Sequence, residues 1–278
     1  MRARRLTGGV STSSHLLVLR SGREVVLRRH SPRTLEEEPG IVAGEAAALA
    51  HVSGHGLPTP DVLAVDADGS ATGARPAMVM GRLPGRIELA PRDPNSWLQQ
   101  LAHALARVHS LPPVVAGVPA EPLWFASHEL PPWTAHPERW AEAIAIVAAE
   151  PPPSTPSVFT HGDFQHFNLL WSRGRLTGIV DWNAPSARPP DADIGHCRLN
   201  LVILYGTEVA DDFLRRYERE SGGRAVDPWW DLRETVVFLP SWSSTIVRQV
   251  GSRIPVDADA IHRRVDAHLP TLLRRLAG

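Results

Sequence analysis

The sequence predicts an α+β protein of two lobes, a small antiparallel-sheet lobe over residues 1–82 with one main helix, then a larger, mostly helical lobe over 83–278. Three observations lead there. Apolar runs separated by glycine-bearing turns dominate the first stretch, to about residue 80. The run Gly81-Arg82-Leu83-Pro84-Gly85 reads as a hinge. Beyond it, apolar side chains recur at helical spacing.

In chain order, His15–Arg20 and Glu24–His30 are strands joined by Ser21-Gly22-Arg23, a turn with a glycine. Pro39 opens a helix running to about Ser53 and stopped by Gly54 and Gly56. Ala77–Met80 is a further strand. Ser96–His109 is a helix, with Trp97, Leu98, Leu101, Leu105 and Val108 on one face. The proline-rich run 151–156 is a stiff connector. The segment His161–Asp193 carries the chemistry, and helical stretches follow it to the C-terminus. No internal repeat is present.

With 278 residues, 43% of them hydrophobic, the chain buries a sizeable core. A formal charge of −1 argues against a nucleic-acid partner. The one cysteine, Cys197, excludes an intramolecular disulfide and suits a reducing setting. The N-terminal Met-Arg-Ala-Arg-Arg lacks a following apolar region, and no 18-residue apolar run occurs, so a cytoplasmic protein without membrane partners is expected. All 29 basic residues are arginine. The absence of lysine excludes a Walker-type glycine-lysine phosphate loop and lysine Schiff-base chemistry.

The chemical segment reads His161-Gly162-Asp163-Phe164-Gln165-His166-Phe167-Asn168-Leu169-Leu170-Trp171, a polar turn at 172–175, Leu176–Val180, then Asp181-Trp182. Folding this hairpin about residues 174–175 puts Asn168 opposite Asp181, with Cβ atoms about 5 Å apart on one face. An amide oxygen and a carboxylate converging in this way suit Mg²⁺ carrying a nucleotide, which keeps room for water and phosphate. Asp163, five residues before Asn168, reaches a group bound beside that metal. Each motif alone is equally a capped turn or a strand end; their joint spacing is what points to chemistry.

That run, His-x-Asp with Asn five residues after the Asp and a later Asp-Trp, closely resembles the aminoglycoside phosphotransferase and choline kinase family, relatives of protein kinases. The resemblance spans nearly the whole chain and implies a protein-kinase-like two-lobe fold, with nucleotide bound by 1–82 and catalysis and acceptor binding in 83–278. It implies ATP (or GTP) as phosphoryl donor, Mg²⁺ held by Asn168 and Asp181, and Asp163 as the catalytic residue. His161 and Asp193, the latter in Asp191-Ala192-Asp193-Ile194-Gly195, would support the catalytic loop. Arg28 matches the phosphate-gripping basic residue, where the family usually has lysine. Glu45 shares an apolar helix stripe with Leu49 and Val52, and a carboxylate there needs a partner, for which Arg28 is the candidate. Thr7–Ser14, with Ser11, resembles the short phosphate-covering loop, although it lacks a full glycine pattern. Met78–Arg82, with Met80 and Arg82, resembles the adenine-contacting linker. His166 stands where the family often has proline and reads as a solvated loop histidine.

The implied activity is γ-phosphoryl transfer to a hydroxyl of a small molecule, first an antibiotic such as an aminoglycoside. A metabolic kinase for a sugar, amino alcohol or hydroxy-amino acid is the second reading, and a non-catalytic nucleotide-binding pseudokinase a third. A hydrolase with a transition metal on His161, Asp163 and His166 would leave Asn168 and Asp181 without a task. Residues 201–278 hold 11 acidic residues and 11 arginines, so the acceptor lobe has no acidic excess. Within it Asp227, Asp231 and Glu234 lie beside Trp229 and Trp230, a combination suited to a sugar or a cation with Trp230 as the stacking surface, and core packing is the expected role of at least one of the two tryptophans. Trp124, Trp133, Trp140 and Trp242 add further aromatic surface. The chain is expected to work as a monomer or homodimer.

Overall fold

A computed structural model describes residues 2–6, 12–73, 75–113, 129–149, 152–238, 240–251 and 253–277. The N-terminal part is a five-stranded antiparallel sheet in the order β1-β2-β3-β5-β4, with β1 Arg2–Leu6, β2 Thr12–Val18, β3 Glu24–His30, β4 Val62–Asp66 and β5 Ala77–Gly81. Along β3, Arg28 and His30, two residues apart, share one face and are both buried, with Val25 buried on the other face. The β2–β3 turn is closed by the Leu19 N–H donating to Arg23 O at 2.9 Å, with Gly22 at φ +82°.

Two helices, not one, join β3 to β4. Ser31 caps α1 (Pro32–Glu37) by accepting from the Thr34 N–H at 3.1 Å, and Pro32 supplies a preset φ. After Glu38-Pro39-Gly40, α2 spans Ile41–Val52 and buries Ile41, Val42, Glu45, Ala48, Leu49 and Val52. Its apolar stripe packs against the sheet.

From Gly81 the chain runs to Gly85, where φ is +103° and a Cβ would sit 2.7 Å from the Trp171 carbonyl oxygen. Only glycine fits there. Arg86 and Trp171 then exchange backbone hydrogen bonds of 3.0 and 2.8 Å, tying the hinge to the chemical hairpin. Asp93 caps α3 (Pro94–His109), whose five predicted face residues are all buried.

The rest is mainly helical: α4 (Pro137–Ala149), α5 (Pro190–Tyr205), α6 (Thr207–Glu220), α7 (Pro228–Val236), α8 (Pro240–Val250) and α9 (Ala258–Ala277). Short strands β6 (Val158–Thr160) and β9 (Ser186–Arg188) pair, as do β7 (Leu169–Ser172) and β8 (Arg175–Ile179). One apolar cluster runs from Leu49 and Met80 through Leu101 and Leu105 to Trp182, Leu201 and Phe213, so sheet and helices share it. A second joins Trp140, Trp229, Trp230, Val265 and Leu269. Helix α5, buried almost all round, lies in both clusters and is the axis on which the site is built. No helix among the described residues is long and apolar enough to cross a membrane.

Candidate active site

Strand β3 and helix α2 supply the first pair. Arg28 donates from Nε to Glu45 Oε2 at 3.0 Å, with both side chains buried. His30 Nε2 lies 3.3 Å from the same Glu45 oxygen. Arg28 also donates from Nη2 to Asp181 Oδ1, so one guanidinium bridges the small lobe and the hairpin. Burial opposes the Arg28 charge, but Glu45 and Asp181 outweigh it and raise its pKa.

The loop 161–168 is shaped by Gly162 and Asp193. Gly162 has φ +81°, and a Cβ there would lie 1.8 Å from the Ala184 carbonyl oxygen. Asp193, in the first turn of α5, accepts from the His161 and Gly162 N–H groups, both at 2.8 Å, and contacts His109 Nε2 at 3.2 Å. Burial alone would raise the Asp193 carboxyl, yet these bonds hold it down at about 2. His161 is buried and held neutral by burial, which lowers its pKa. Its tautomer follows from its partners: Nε2–H donates to Val180 O at 3.1 Å, and Nδ1 accepts from the Asp163 N–H at 3.3 Å.

The hairpin forms with a shifted register, which corrects the expected pairing. Leu169 faces Ile179, an irregularity follows between Leu170 and Trp171, and the Val180 N–H donates to Asn168 O at 2.9 Å. Asn168 therefore pairs with Val180 and not with Asp181. A one-residue slip would send a regular Asp181 side chain to the other face. Asp181 instead takes a left-handed backbone, φ 70°, and its carboxylate meets Arg28. The Asn168 amide nitrogen donates to both the carbonyl and Oδ2 of Asp163 at 2.8 Å, leaving its Oδ1 as the open acceptor.

Asp163 is the most heavily bonded carboxylate of the loop. Besides Asn168 on Oδ2, its Oδ1 accepts from Gln165 Nε2 and from His196 Nε2, the latter at 2.9 Å. Burial would raise this carboxyl, but the His196 hydrogen bond and charge, aided by Gln165, hold it below the usual range. His196 also contacts Glu234 Oε2 through Nδ1 at 3.2 Å. Sandwiched so, and despite burial, His196 is pushed up to about 10. Sequence reasoning missed His196. The available signal was its position three residues after Asp193, on the same face of one helix.

Asp181 is pushed up by burial, with Arg28 opposing and the Asp163 and Glu45 charges adding to the rise. His196 answers Asp163, but Asp181 and Glu45 share the single Arg28 cation, an excess of negative charge that a hard divalent cation would relieve. The open oxygens of Asn168 and Asp181 are the donor types Mg²⁺ takes, few enough to leave water and phosphate in place. The residues fit that ion. Among the described residues no group of three or more His, Cys, Asp or Glu is arranged to hold a metal, so His161, Asp163 and His166 form no transition-metal site.

The other expected residues fall elsewhere. Ser11, the rest of Thr7–Ser11, and Trp124 lie outside the described residues. Met80 is buried in the core between Val26 and Val62, and exposed Arg82 pairs with Glu24. Asp231 is buried against Arg198 and Arg275, at 2.9 and 2.8 Å. Trp230 is 1% exposed, and Asp227 caps α7 by accepting from the Trp229 N–H at 2.9 Å. Of that acidic–aromatic group only Glu234 reaches the site, through His196. His166 is not solvated: it is buried beside Phe167 and Tyr205, and burial pushes it down to about 3. A cavity of about 350 Å³ opens beside the loop, its charged lining including Glu37, Glu38, Glu234, Arg188, Arg233 and His196.

The sequence profile of the phosphotransferase enzyme family matches residues 2–229. No curated protein sequence matches the chain. Among solved structures, aminoglycoside phosphotransferase APH(4)-Ia in a ternary complex with ADP and hygromycin B aligns with a TM-score of 0.63 at 17% identity, covering 100% of this chain and 95% of that one. The amicoumacin kinase hAmiN, in complex with AMP-PNP, Ca²⁺ and Ami, gives 0.61 at 16% identity, covering 97% and 88%. Aminoglycoside-3'-phosphotransferase of type VIII gives 0.60 at 18%, covering 84% and 92%. At these identities the likeness shows a shared protein-kinase-like fold.

Proposed function

We propose, from the premise that this chain belongs to the phosphotransferase enzyme family, that it is a Mg²⁺-dependent kinase moving the γ-phosphoryl group of ATP or GTP to a hydroxyl of a small molecule. The observation that carries the reading is the joint arrangement of Asp163, Asn168, Asp181, Arg28 and Glu45: one ionised carboxylate beside an amide oxygen and a second carboxylate, with a positioned cation across from them.

Phosphoryl transfer runs through a loose transition state, so positioning and charge neutralisation are the protein's tasks. Asp163, held below the usual carboxylate range, stays ionised and takes the acceptor hydroxyl's hydrogen bond, orienting its oxygen toward the γ-phosphorus. Asn168 Oδ1 and Asp181 would hold Mg²⁺, which when bound neutralises the phosphate oxygens. Arg28, set by Glu45, would grip the α/β-phosphates. Met80 and Arg82 lie at the end of β5, where the linker would meet the base, and Ser11 belongs to the proposed phosphate cover.

The first acceptor class is an antibiotic such as an aminoglycoside, a reading supported by relatives of this fold that bind hygromycin B and Ami. A metabolic hydroxyl acceptor is the second reading. It is favoured by the 11 acidic residues and 11 arginines of 201–278, an even count without the acidic excess a polycation prefers. ADP release should be screened over aminoglycosides, macrolides, sugars, choline and homoserine. An acceptor-dependent signal that needs Mg²⁺ and vanishes in Asp163→Ala, with nucleotide still bound, is the expected result. Full turnover by Asp163→Ala would sink the assignment.

A further inference from the structure

The hydrogen bonds around Asp163 distinguish its two oxygens. Oδ1 receives Gln165 Nε2 and His196 Nε2, which fills both of its lone-pair sites. Oδ2 receives only Asn168 Nδ2 and keeps one site open. His196 is in turn fixed from behind by Glu234, whose other oxygen is taken by Arg233. The close approach of α5 and α7 that makes this possible rests on Gly195, where a Cβ would lie 2.8 Å from the Trp230 carbonyl oxygen.

We propose that His196, anchored by Glu234, is a positioning residue for phosphoryl transfer: it occupies Oδ1 of Asp163 and so commits Oδ2 to the acceptor hydroxyl. The inference rests on the reading of Asp163 given above. It assigns two residues that the chemical motif of 161–182 does not contain.

The groups facing the imidazole come from every element around it. Asp163 and buried His166 approach from the loop, Glu234 and Arg233 from α7, and Asp193 and Asn200 share its helix, with Asn200 Nδ2 3.2 Å from the ring Nε2 while it donates to His196 O at 3.0 Å. Two carboxylates on two ring nitrogens require both nitrogens to carry protons, which makes His196 an imidazolium that donates at both ends. A neutral ring could satisfy only one of them. The bond to Asp163 is thus charge-assisted, and it holds the carboxylate's χ angles before any acceptor arrives.

The test uses the full-length protein with MgATP and water as acceptor, read as ADP release, and MgATP affinity by calorimetry. His196→Ala is expected to cut kcat about 10-fold or more, because a freed carboxylate loses its near-attack orientation, while the MgATP Kd stays within about twofold. His196→Gln, which keeps a donor toward Oδ1, should regain part of that loss, and Glu234→Gln should fall between them. His196→Ala with kcat within about twofold of the parent, while Asp163→Asn abolishes turnover, overturns the inference and leaves the reading of Asp163 standing. Asp163→Asn with unchanged turnover overturns both. If water proves too poor an acceptor, ¹⁵N-histidine spectra decide. A doubly protonated His196 at pH 8 that is lost in Glu234→Gln supports the proposal; a neutral ring at pH 8 refutes it.

Discussion

Arg28→Met removes the guanidinium and keeps much of its volume, isolating the charge that joins the two lobes. Arg28 and Glu45 are 8% and 2% exposed, so water cannot replace the lost partner. Breaking a buried pair from one side costs about 3–5 kcal/mol. His30 Nε2, 3.3 Å from Glu45 Oε2, remains as a partial partner and sets the expectation at the lower end, about 3 kcal/mol. For a chain of this size 1 kcal/mol corresponds to roughly 2 °C in Tm, so the midpoint should fall by about 6 °C at pH 7.5. One control separates charge from packing. Adding Glu45→Leu removes the stranded carboxylate and should restore at least half of the deficit. Thermal unfolding by circular dichroism reads all three. An Arg28→Met midpoint within 1 °C or so of the parent, or a double variant no better than the single, would refute the argument that this cation offsets a buried charge.

Asp163→Asn should lower turnover by about 10²–10⁴ with little change in MgATP affinity, measured by ADP release and calorimetry. Gly162→Ala should destabilise far more than Gly206→Ala. Both positions have positive φ, which costs a side chain about 1–3 kcal/mol, but only the Gly162 Cβ would strike a backbone oxygen, at 1.8 Å, whereas nothing lies within 4 Å at Gly206. Equal losses of urea midpoint in the two variants would contradict that contact. His268, buried on α9 beside Thr207, is pushed down to about 4 by burial, with Arg198 adding to the fall. The unfolded chain takes up this proton near pH 6.5, so the stability from neutral His268 is complete above that pH. It is lost as pH falls toward 4, by about 3 kcal/mol in all. His268→Gln should flatten the acid limb of urea midpoint against pH over that window; an unchanged limb would refute it.

What was legible in the sequence was whatever a local pattern or an unavoidable cost enforces. A carboxylate on the buried stripe of α2 demanded a cation, and Arg28 meets it at 3.0 Å. The glycine-centred turn of β2–β3 and the apolar face of α3 were equally local. The hairpin register was not, because the irregularity at Leu170–Trp171 lies where Trp171 bonds to Arg86 of the hinge, 85 residues earlier by the numbering. Helix α1 is hidden for a different reason: Pro32 and Pro39 both suit a helix start, and only the Ser31 cap marks the first. The acidic–aromatic stretch of α7 misled because adjacent helical residues point about 100° apart, and two neighbouring tryptophans are both buried only if a helix is covered on two sides. Here α5 and the second core do that, while Asp231 is absorbed by Arg198 and Arg275, partners that no local spacing announces.

The all-arginine composition bears directly on the site. A lysine presents one nitrogen, but a guanidinium donates along separate directions in one plane. Arg28 uses that difference, with Nε on Glu45 and Nη2 on Asp181. The carboxylate proposed to hold Mg²⁺ is thus paired with the cation proposed to hold phosphate. On those assignments Asp181 would pass to the metal and Arg28 to phosphate, with Glu45 keeping the arginine, and either exchange alone would leave a charge without its partner. Nucleotide added without Mg²⁺ should consequently bind weakly, since it would have to draw Arg28 away and leave Asp181 facing Asp163 uncompensated. Calorimetric titration of ATP in EDTA measures this, and an affinity equal to that with Mg²⁺ would contradict the exchange.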